Sequence, residues 1–426
     1  MKDTGQFQNK RVTIVGLARS GLACANLLCD LGAEVFITDN RDGEATRLKA
    51  SELKSSAVKL ELGKHTQEFI KNRDFIVVSP GVANNALLIL WAEQFKIPVI
   101  SEIELAWLLC PGTVIAVTGT SGKTTVTTLI GKVLEAAGKK VFICGNIGSP
   151  FSGEVAKIES DDFVALEASS FQLERVRAFK PKIAVILNFN RNHLDRHKDM
   201  EEYLNAKKRI FMNQDNSDYL ILNDDDLAVR DLAKESKSRV IYFKGGENLN
   251  PNQSAVLAVA SILGIKSELC FKVFSGFKGI EHRLEFVTKI NNIKFINDSK
   301  ATTADSTIWA LKNIPEPIIL IAGGRHKGID YRVIRDLARE KVKEAVLIGE
   351  AADKIEDALG GSLFIQKAVT LEEAVEKAFL KAKPGDCVLL SPMCSSFDMF
   401  QNFEERGRVF KEAVFNLAKN KGQDGS

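Results

Sequence analysis

No two of the seven cysteines are spaced C-x-x-C, and their number is odd. Cys24, Cys29, Cys110, Cys144, Cys270, Cys387 and Cys394 are scattered, which argues against a disulfide framework or a zinc knuckle and for reduced thiols. No apolar run approaches the roughly 18–20 residues of a membrane span. The first ten residues, MKDTGQFQNK, lack the apolar core of a signal peptide. Long blocks of like charge are also missing, and the formal net charge is only +3, so no electrostatic argument points to nucleic acid. There are no low-complexity segments or short repeats. What these absences leave is a cytoplasmic enzyme acting on small molecules, with neither nucleic acid nor membrane as partner and a monomer as the expected state.

The 426 residues are 45% hydrophobic and 27% charged, enough for two to four domains with real cores. Short apolar runs alternate with helical patterns almost from end to end. Runs at 11–17 (RVTIVGL), 34–39 (EVFITD) and 74–79 (DFIVVS) predict strands, with a helix over 20–31. The pattern restarts at 114–118 (VIAVT), followed by a helix over 123–137 and strands at 141–144, 163–168, 183–188 and 219–223. It restarts again after His282-Arg283, with strands at 294–297, 318–322, 345–349 and 387–391. This predicts an α/β protein of three domains, 1–101, 102–279 and 280–426. The first and last are Rossmann-like, and the middle one, with the glycine-rich turn 119–125 (GTSGKTT) between a strand and a helix, is P-loop ATPase-like, with ligands at the C-terminal ends of parallel strands.

The residues at those strand ends carry the chemistry. Gly119-Thr120-Ser121-Gly122-Lys123-Thr124-Thr125 follows a strand and opens a helix, the context of a phosphate loop. Glycines let the backbone approach phosphate, Lys123 reaches the outer phosphates, and the Thr124 hydroxyl can ligate Mg²⁺. The longer standard loop needs glycine six positions before the lysine, where this chain has Val117. Further polar clusters close other strands: Gly145-Asn146-Ile147-Gly148, Glu167-Ala168-Ser169-Ser170, and 188–195 (NFNRNHLD). Glu167 is either a solvated strand-end carboxylate or a Mg²⁺ ligand, and its place among three clusters on one sheet favours the ligand. His193 and His197 stand at i, i+4 without a third ligand nearby, which argues against zinc; His197 fits the start of a surface helix. Lys207 reads from composition as an exposed helix lysine.

In the last third, Asn297-Asp298-Ser299-Lys300-Ala301-Thr302 reads as a capped helix start or a ligand loop. Near the C-terminus stands Ser391-Pro392-Met393-Cys394-Ser395-Ser396-Phe397-Asp398-Met399-Phe400, then Asn402-Phe403-Glu404-Glu405-Arg406-Gly407. Phe397, Phe400 and Phe403 could equally form a helix face packed in the core, a reading that suits Phe400. At the other end, Gly16-Leu17-Ala18-Arg19-Ser20-Gly21 follows the first strand. As a dinucleotide fingerprint it is weak, because Ala18 stands where the second glycine belongs.

The short T-G-x-x-G-K-T-T loop, the E-x-S-S-F-Q-L and H-L-D segments and the S-P-x-x-x-S-x-D-x-F-x-x-F-x-x-R-G segment together resemble the Mur ligase family over nearly the whole chain. The loop alone is also similar to that of folylpolyglutamate synthetase. The resemblance implies ATP-dependent amide-bond formation through an acyl phosphate, with ATP and Mg²⁺ as cofactors. Gly119 through Thr125 then hold the ATP phosphates, Asn250 and Gln253 face adenine, and Arg283 and Asp298 complete the nucleotide site. Thr124, Glu167, His193 and a carbamylated Lys207 correspond to the metal ligands. Lys123, His193, Lys207 and Asn146 correspond to the catalytic set, Asn146 facing the acyl substrate. Aspartate is common in relatives at the position of Asn192, before His193.

The Ser391–Gly407 segment resembles the members of the family that add D-glutamate, whereas the D-N-P-R segment of those adding meso-diaminopimelate is absent. The substrates so implied are UDP-N-acetylmuramoyl-L-alanine and D-glutamate. Arg19, Ser20, Asp39, Asn40, Ser79, Gly81, Asn146 and Ser169 would contact the first. Lys300, Thr302, Lys327, Ser396 and Phe403 would contact the second, with Lys327 as the cation facing a carboxylate.

Overall fold

The computed structural model describes residues 1–2, 4–192, 196–246, 249–277, 279–326, 328–361 and 363–423. His193 and Lys327 lie outside the described residues. The chain divides into two compact units, Met1–Phe277 and Lys278–Ser426.

The first unit carries two parallel sheets. One is built from β1 (Arg11–Val15), β2 (Glu34–Asp39), β3 (Lys59–Leu62), β4 (Phe75–Val78) and β5 (Val99–Ser101), in the order β3-β2-β1-β4-β5. The other holds β6 (Thr113–Thr118), β7 (Val141–Gly145), β8 (Phe163–Glu167), β9 (Ile183–Ile186), β10 (Tyr219–Asn223) and β11 (Arg239–Phe243), in the order β11-β10-β9-β6-β8-β7. The central strands are β-branched and buried on both faces, as a sheet covered by helices requires. In the first sheet the strand order reverses between β1 and β4, so the loops after those strands diverge and leave a crevice. In the second, β6 lies between β8 and β9, with Val117 in register with Glu167 and Thr118 with Ile186. The phosphate loop therefore sits between the other two polar strand ends.

The helix Glu102–Leu109 follows β5 directly and joins the two sheets. Ile103, Leu105, Ala106 and Leu109 are fully buried and share one hydrophobic cluster with Val12 and Ile14 of β1 and Val114 and Ala116 of β6. Two separate clusters fill the far faces of the two sheets, around Val78 and Val117.

The second unit has one sheet, from β12 (Glu285–Ile290), β13 (Ile293–Asn297), β14 (Ile318–Gly323), β15 (Val342–Ile348), β16 (Phe364–Lys367) and β17 (Cys387–Leu390), in the order β12-β13-β17-β14-β15-β16. Only the β12–β13 hairpin is antiparallel.

Close packing of glycine sets the first crevice. Gly16 turns the chain after β1 with φ +93°, and a Cβ on Gly21 would lie 1.9 Å from the Gly16 carbonyl oxygen. That carbonyl is backbone and cannot swing away. Gly21→Ala should therefore destabilise the chain by about 1–3 kcal/mol, measured from its denaturant midpoint; an unchanged midpoint would contradict the packing described.

Candidate active site

At the end of β6 the chain passes through Gly119 (φ +153°) and Gly122 (φ +80°) into the helix Lys123–Ala136. The left-handed Gly122 turns the first-turn N–H groups of the helix toward the loop's concavity, where they carry partial positive charge. Asn188, just beyond β9, shapes the loop. Its Oδ1 accepts from the backbone N–H of Thr120 (3.0 Å) and Ser121 (2.8 Å), and its Nδ2 donates to the Ser121 carbonyl (3.2 Å).

Two lysines converge on this loop. Lys123 Nζ arches back to the carbonyls of Gly119 (3.0 Å) and Thr120 (3.1 Å). Lys207, from the helix Met200–Lys208, places its Nζ 2.8 Å from the same Gly119 carbonyl. Lys207 is only 1% exposed, which corrects its reading as a surface lysine. Its amine also stands 4.5 Å from the centre of the Tyr203 ring, and the Tyr203 hydroxyl is 3.3 Å from Thr120 Oγ1. Burial, and then the nearby positive charge of Lys123, push the Lys207 pKa well below the ordinary lysine value.

Glu167 closes β8 and is 2% exposed, so it is no solvated strand end. Its Oε1 accepts from Asn146 Nδ2 (2.8 Å), while its Oε2 is buried and has no hydrogen-bond partner among the described residues. A buried carboxylate oxygen without a donor needs a cation or a proton. Thr124, 3% exposed, lies one residue into the helix on the neighbouring strand's loop. Ser169 is held in a capping box with Gln172 at the start of the helix Ser170–Leu173.

His197 is 1% exposed, not a surface residue. Its ring stacks on Phe171 (5.3 Å), packs beside Tyr203 (5.0 Å) and meets Ser170 Oγ at 3.0 Å. Of the aromatic neighbours that bury it, Phe171 lies on another element, so helical spacing gave no hint of that contact.

Asn250 and Gln253 bond to each other at the start of the helix Pro251–Ile262. Asn250 Oδ1 accepts from Gln253 N (3.0 Å), and Gln253 Oε1 from Asn250 N (3.2 Å). The residue between them that meets the phosphate loop is Asn252: a Cβ on Gly122 would lie 2.5 Å from its Oδ1. Asn188 opens the polar cluster 188–195 noted in the sequence, whereas Tyr203 and Asn252 were not marked by any sequence motif, since only the fold brings them to the loop.

The crevice of the first sheet opens into a cavity of about 590 Å³ that Arg19, Ser20, Asp39, Asn40, Ser79 and Gly81 all line. Asp39 has spent its acceptors internally. Its Oδ2 takes Leu17 N–H (2.7 Å) and Arg41 Nη2 (2.9 Å), and its Oδ1 takes the N–H and Nε of Arg41 (2.9 and 3.0 Å). Burial pushes this carboxyl upward, but the bonds from Arg41 and Leu17 outweigh it and hold it below the usual range. Arg41, also in the cavity wall, is the cation that sequence reasoning missed. Two arginines tie this cavity to the second sheet: Arg19 donates to the Gly148 carbonyl, and Arg196 to those of Gly81 and Val82.

In the second unit, the loops after β13, β14 and β17 gather. Met393 N–H bonds the Ala301 carbonyl (2.9 Å), Gly323 N–H that of Pro392 (2.9 Å) and Arg325 N–H that of Ser395 (2.8 Å). Lys300 Nζ lies 6.0 Å from the Phe403 ring centre, and Ser396 is 2% exposed. Thr302 sits on the same loop as Lys300, its N–H on the Lys300 carbonyl at 2.9 Å. Arg406, fully buried, joins two of these loops through Ser299 Oγ (3.0 Å), the Ser299 carbonyl (2.9 Å) and the Cys394 carbonyl (3.1 Å). Phe400 does pack against the core, whereas Phe397 is exposed. Asp298 is 5% exposed, accepting from Ser391 Oγ (2.9 Å) and Leu284 N–H (3.2 Å). Burial pushes it up to about 7, against the pull of those bonds and of Arg283.

Family models match along the chain: the N-terminal domain of MurD-like Mur ligases at 10–101, the Mur ligase middle domain at 117–291, and the glutamate ligase domain of Mur ligases at 282–394. The matched domains define an ATP-dependent, carbon–nitrogen bond-forming enzyme, and the chain belongs to the Mur ligase family. Among curated relatives, the UDP-N-acetylmuramoylalanine–D-glutamate ligase of Thermoanaerobacter sp. (strain X514) is 39% identical over 454 residues, covering 97% of this chain and all of the relative. The enzyme of that name from Koribacter versatilis is 40% identical, covering 97% and 98%. The fold is shared with the UDP-N-acetylmuramate–alanine ligase of Thermotoga maritima (TM-score 0.59, 17% identity, 96% of this chain and 100% of that one). It is shared too with the MurF ligase of the same organism in complex with ADP (TM-score 0.57, 16% identity, 98% and 100%).

The buried Asp298 has a measurable consequence. An aspartate near 4 when unfolded and about 7 when folded binds an extra proton in the native state between those values. Native stability therefore falls as pH rises through that window, by at most about 4 kcal/mol. Asp298→Asn should raise the melting temperature at pH 8 and change it little at pH 4. Parallel pH–stability curves for the two proteins would contradict the assignment.

Proposed function

We infer that this enzyme joins D-glutamate to the L-alanyl carboxylate of UDP-N-acetylmuramoyl-L-alanine with hydrolysis of ATP, in cytoplasmic peptidoglycan precursor synthesis. The observation that carries the phosphoryl chemistry is the pair of lysines on one loop carbonyl, Lys123 and the buried Lys207. The relatives at about 39% identity, all D-glutamate ligases by name, carry the substrate assignment.

In this reading the substrate carboxylate attacks the γ-phosphorus of ATP and ADP leaves, giving an acyl phosphate. The amine of D-glutamate then attacks the acyl carbon, and phosphate leaves. Gly119 through Thr125 cradle the nucleotide phosphates, and Lys123 stabilises charge on the transferring group. Arg283 and Asp298 serve the nucleotide as well, with Asn250 and Gln253 at the adenine.

Mg²⁺ fits the residues present: the unpartnered Glu167 Oε2, the Thr124 hydroxyl and, in sequence, His193. Once bound it neutralises phosphate charge. Lys207 suits carbamylation, because its burial favours the uncharged amine, the nucleophile that CO₂ requires. The amine nitrogen bonds the carbon of CO₂, a proton leaves, and the product is an anionic carbamate. That would replace a buried base by a ligand of the charge the metal needs.

Segment 1–101 would hold the UDP substrate, 102–279 ATP and 280–426 the amino acid. Arg19, Ser20, Asp39, Asn40, Ser79 and Gly81 would face the UDP moiety, with Asn146 and Ser169 toward its peptide end. Lys300, Thr302, Lys327, Ser396 and Phe403 would face D-glutamate. The enzyme would act as a monomer with neither nucleic acid nor membrane. Among the described residues no helix is long and apolar enough to cross a membrane.

Phosphate release with UDP-N-acetylmuramoyl-L-alanine and an amino-acid panel tests the substrate assignment. D-glutamate should be used well, and L-glutamate, L-lysine and meso-diaminopimelate poorly, since a site that pairs a buried carboxylate rejects analogues leaving its groups unpaired. Equal turnover of L-lysine or diaminopimelate would move the chain to a sister ligase. Lys123→Ala should abolish phosphate release without unfolding the protein; near-normal turnover would remove the phosphate-loop role. Lys207→Ala should lose activity that short carboxylic acids partly restore. Lys208→Ala is the control and should stay active, because Lys208 bonds Glu235 on the surface (2.7 Å).

A further inference from the structure

The helix that joins the two sheets of the first unit begins with a feature unusual for a core element: Glu102 and Glu104 are 1% and 2% exposed. Neither meets a cation in a salt bridge among the described residues. Both instead accept from backbone N–H groups. Glu102 Oε1 takes Ser152 N–H at 2.6 Å, and its Oε2 is buried without a partner. Glu104 takes three: Oε1 accepts from Ala178 (2.7 Å), and Oε2 from Arg177 and Phe179 (both 3.0 Å). Carboxyl oxygens on backbone donors satisfy N–H groups that would otherwise be buried unpaired, and burial raises the penalty for breaking such a bond.

The two segments so held continue the chain from the two loops of the candidate metal centre. Ser152 follows the loop that carries Asn146 after β7. Residues 177–179 follow the Ser170–Leu173 helix and the loop that begins at Glu167 after β8. Asn146 and Glu167 are joined side chain to side chain at 2.8 Å, and Asn146 N–H bonds the Glu167 carbonyl at 2.9 Å. The same helix grips the second segment twice more: Trp107 Nε1 donates to the Lys180 carbonyl (3.2 Å), and Ser101 N–H, just before it, to that of Arg175 (3.1 Å). One helix thus fixes the far end of both metal-side loops. A hydrophobic anchor would bury as well but would leave four backbone donors unpaired.

We propose that Glu102 and Glu104 are positioning residues, which hold the peptide groups of Ser152 and of 177–179 and thereby set the separation of Asn146 from Glu167 at the metal. This rests on the reading of Glu167 as a Mg²⁺ ligand. The groups that orient metal ligands commonly carry about 10–100-fold of metal affinity. Helix Glu102–Leu109 also packs against the helix Arg19–Asp30 of the UDP cavity, so the same element reaches both substrate-side and metal-side structure.

The test uses the full chain with Mn²⁺ as a paramagnetic probe and a non-hydrolysable ATP analogue. Glu104→Gln keeps the shape but sets an amide NH₂ against at least one donor. Glu102→Leu keeps the volume and removes the acceptor. Melting temperature is recorded beside Mn²⁺ binding, kcat, and KM for the UDP substrate. Both variants should need about tenfold more Mn²⁺ for half-saturation and lose about tenfold in kcat, with KM for the UDP substrate within about twofold of wild type. Glu167→Gln separates the two levels of the argument. If it weakens Mn²⁺ binding while the folded helix variants bind normally, the positioning role is wrong and the metal reading stands. If Glu167→Gln also binds normally, both are wrong. A lowered melting temperature with wild-type Mn²⁺ binding in the folded protein would mark Glu102 and Glu104 as merely structural.

Discussion

A single carbonyl oxygen, that of Gly119, accepts from two lysine nitrogens within about the same radius, 3.0 Å for Lys123 and 2.8 Å for Lys207. Two ammonium groups that close, one of them out of water, cannot both stay charged without an anion between them. Burial, and then the charge of Lys123, shift Lys207 toward its uncharged form. With nucleotide phosphates in the loop, the proposed site would hold both the anion for Lys123 and, as a carbamate, a second anion at Lys207. The surrounding residues serve that arrangement: Tyr203 walls off the amine from water, and Asn188 fixes the loop whose carbonyl both lysines share.

Three carboxylates at strand ends show how one architectural position yields different chemistry. Asp39 after β2 is saturated by Arg41 and Leu17 and is held ionised, an anchor for the cation beside it. Glu167 at the end of β8 has one oxygen satisfied and one open, the condition for a cation ligand. Asp298 after β13 has only a hydroxyl and one N–H, and burial pushes it up to about 7. Parallel strands deliver all three to the C-terminal ends of their sheets, and the local donors then decide how many carboxyl oxygens are satisfied.

The central strands could be read from sequence because burial on both faces demands unbroken β-branched runs, as in 114–118 and 318–322. The five strands not anticipated, β3, β5, β11, β12 and β16, all lie at sheet edges. An edge strand shows one side to water, so 59–62 (KLEL) and 364–367 (FIQK) carry no apolar run, and β5 has only three residues. The phosphate loop and the cavity wall were legible because glycines and strand-end polar residues mark them in sequence. Arg41, Asn252 and the burial of Lys207 and His197 were not, since each depends on residues that only the fold brings near. Glu102 and Glu104 read as the acidic first turn of a helix, and nothing local distinguishes a solvated first turn from one that caps distant backbone.

The central claim is that the buried Lys207 is the amine that takes up CO₂. Carbon-13 NMR of the active enzyme with Mg²⁺ and nucleotide in ¹³C-bicarbonate tests it directly. The account predicts one carbamate resonance that disappears in Lys207→Ala and persists in Lys208→Ala. A fully active enzyme with no carbamate resonance, or one that survives in Lys207→Ala, would contradict it.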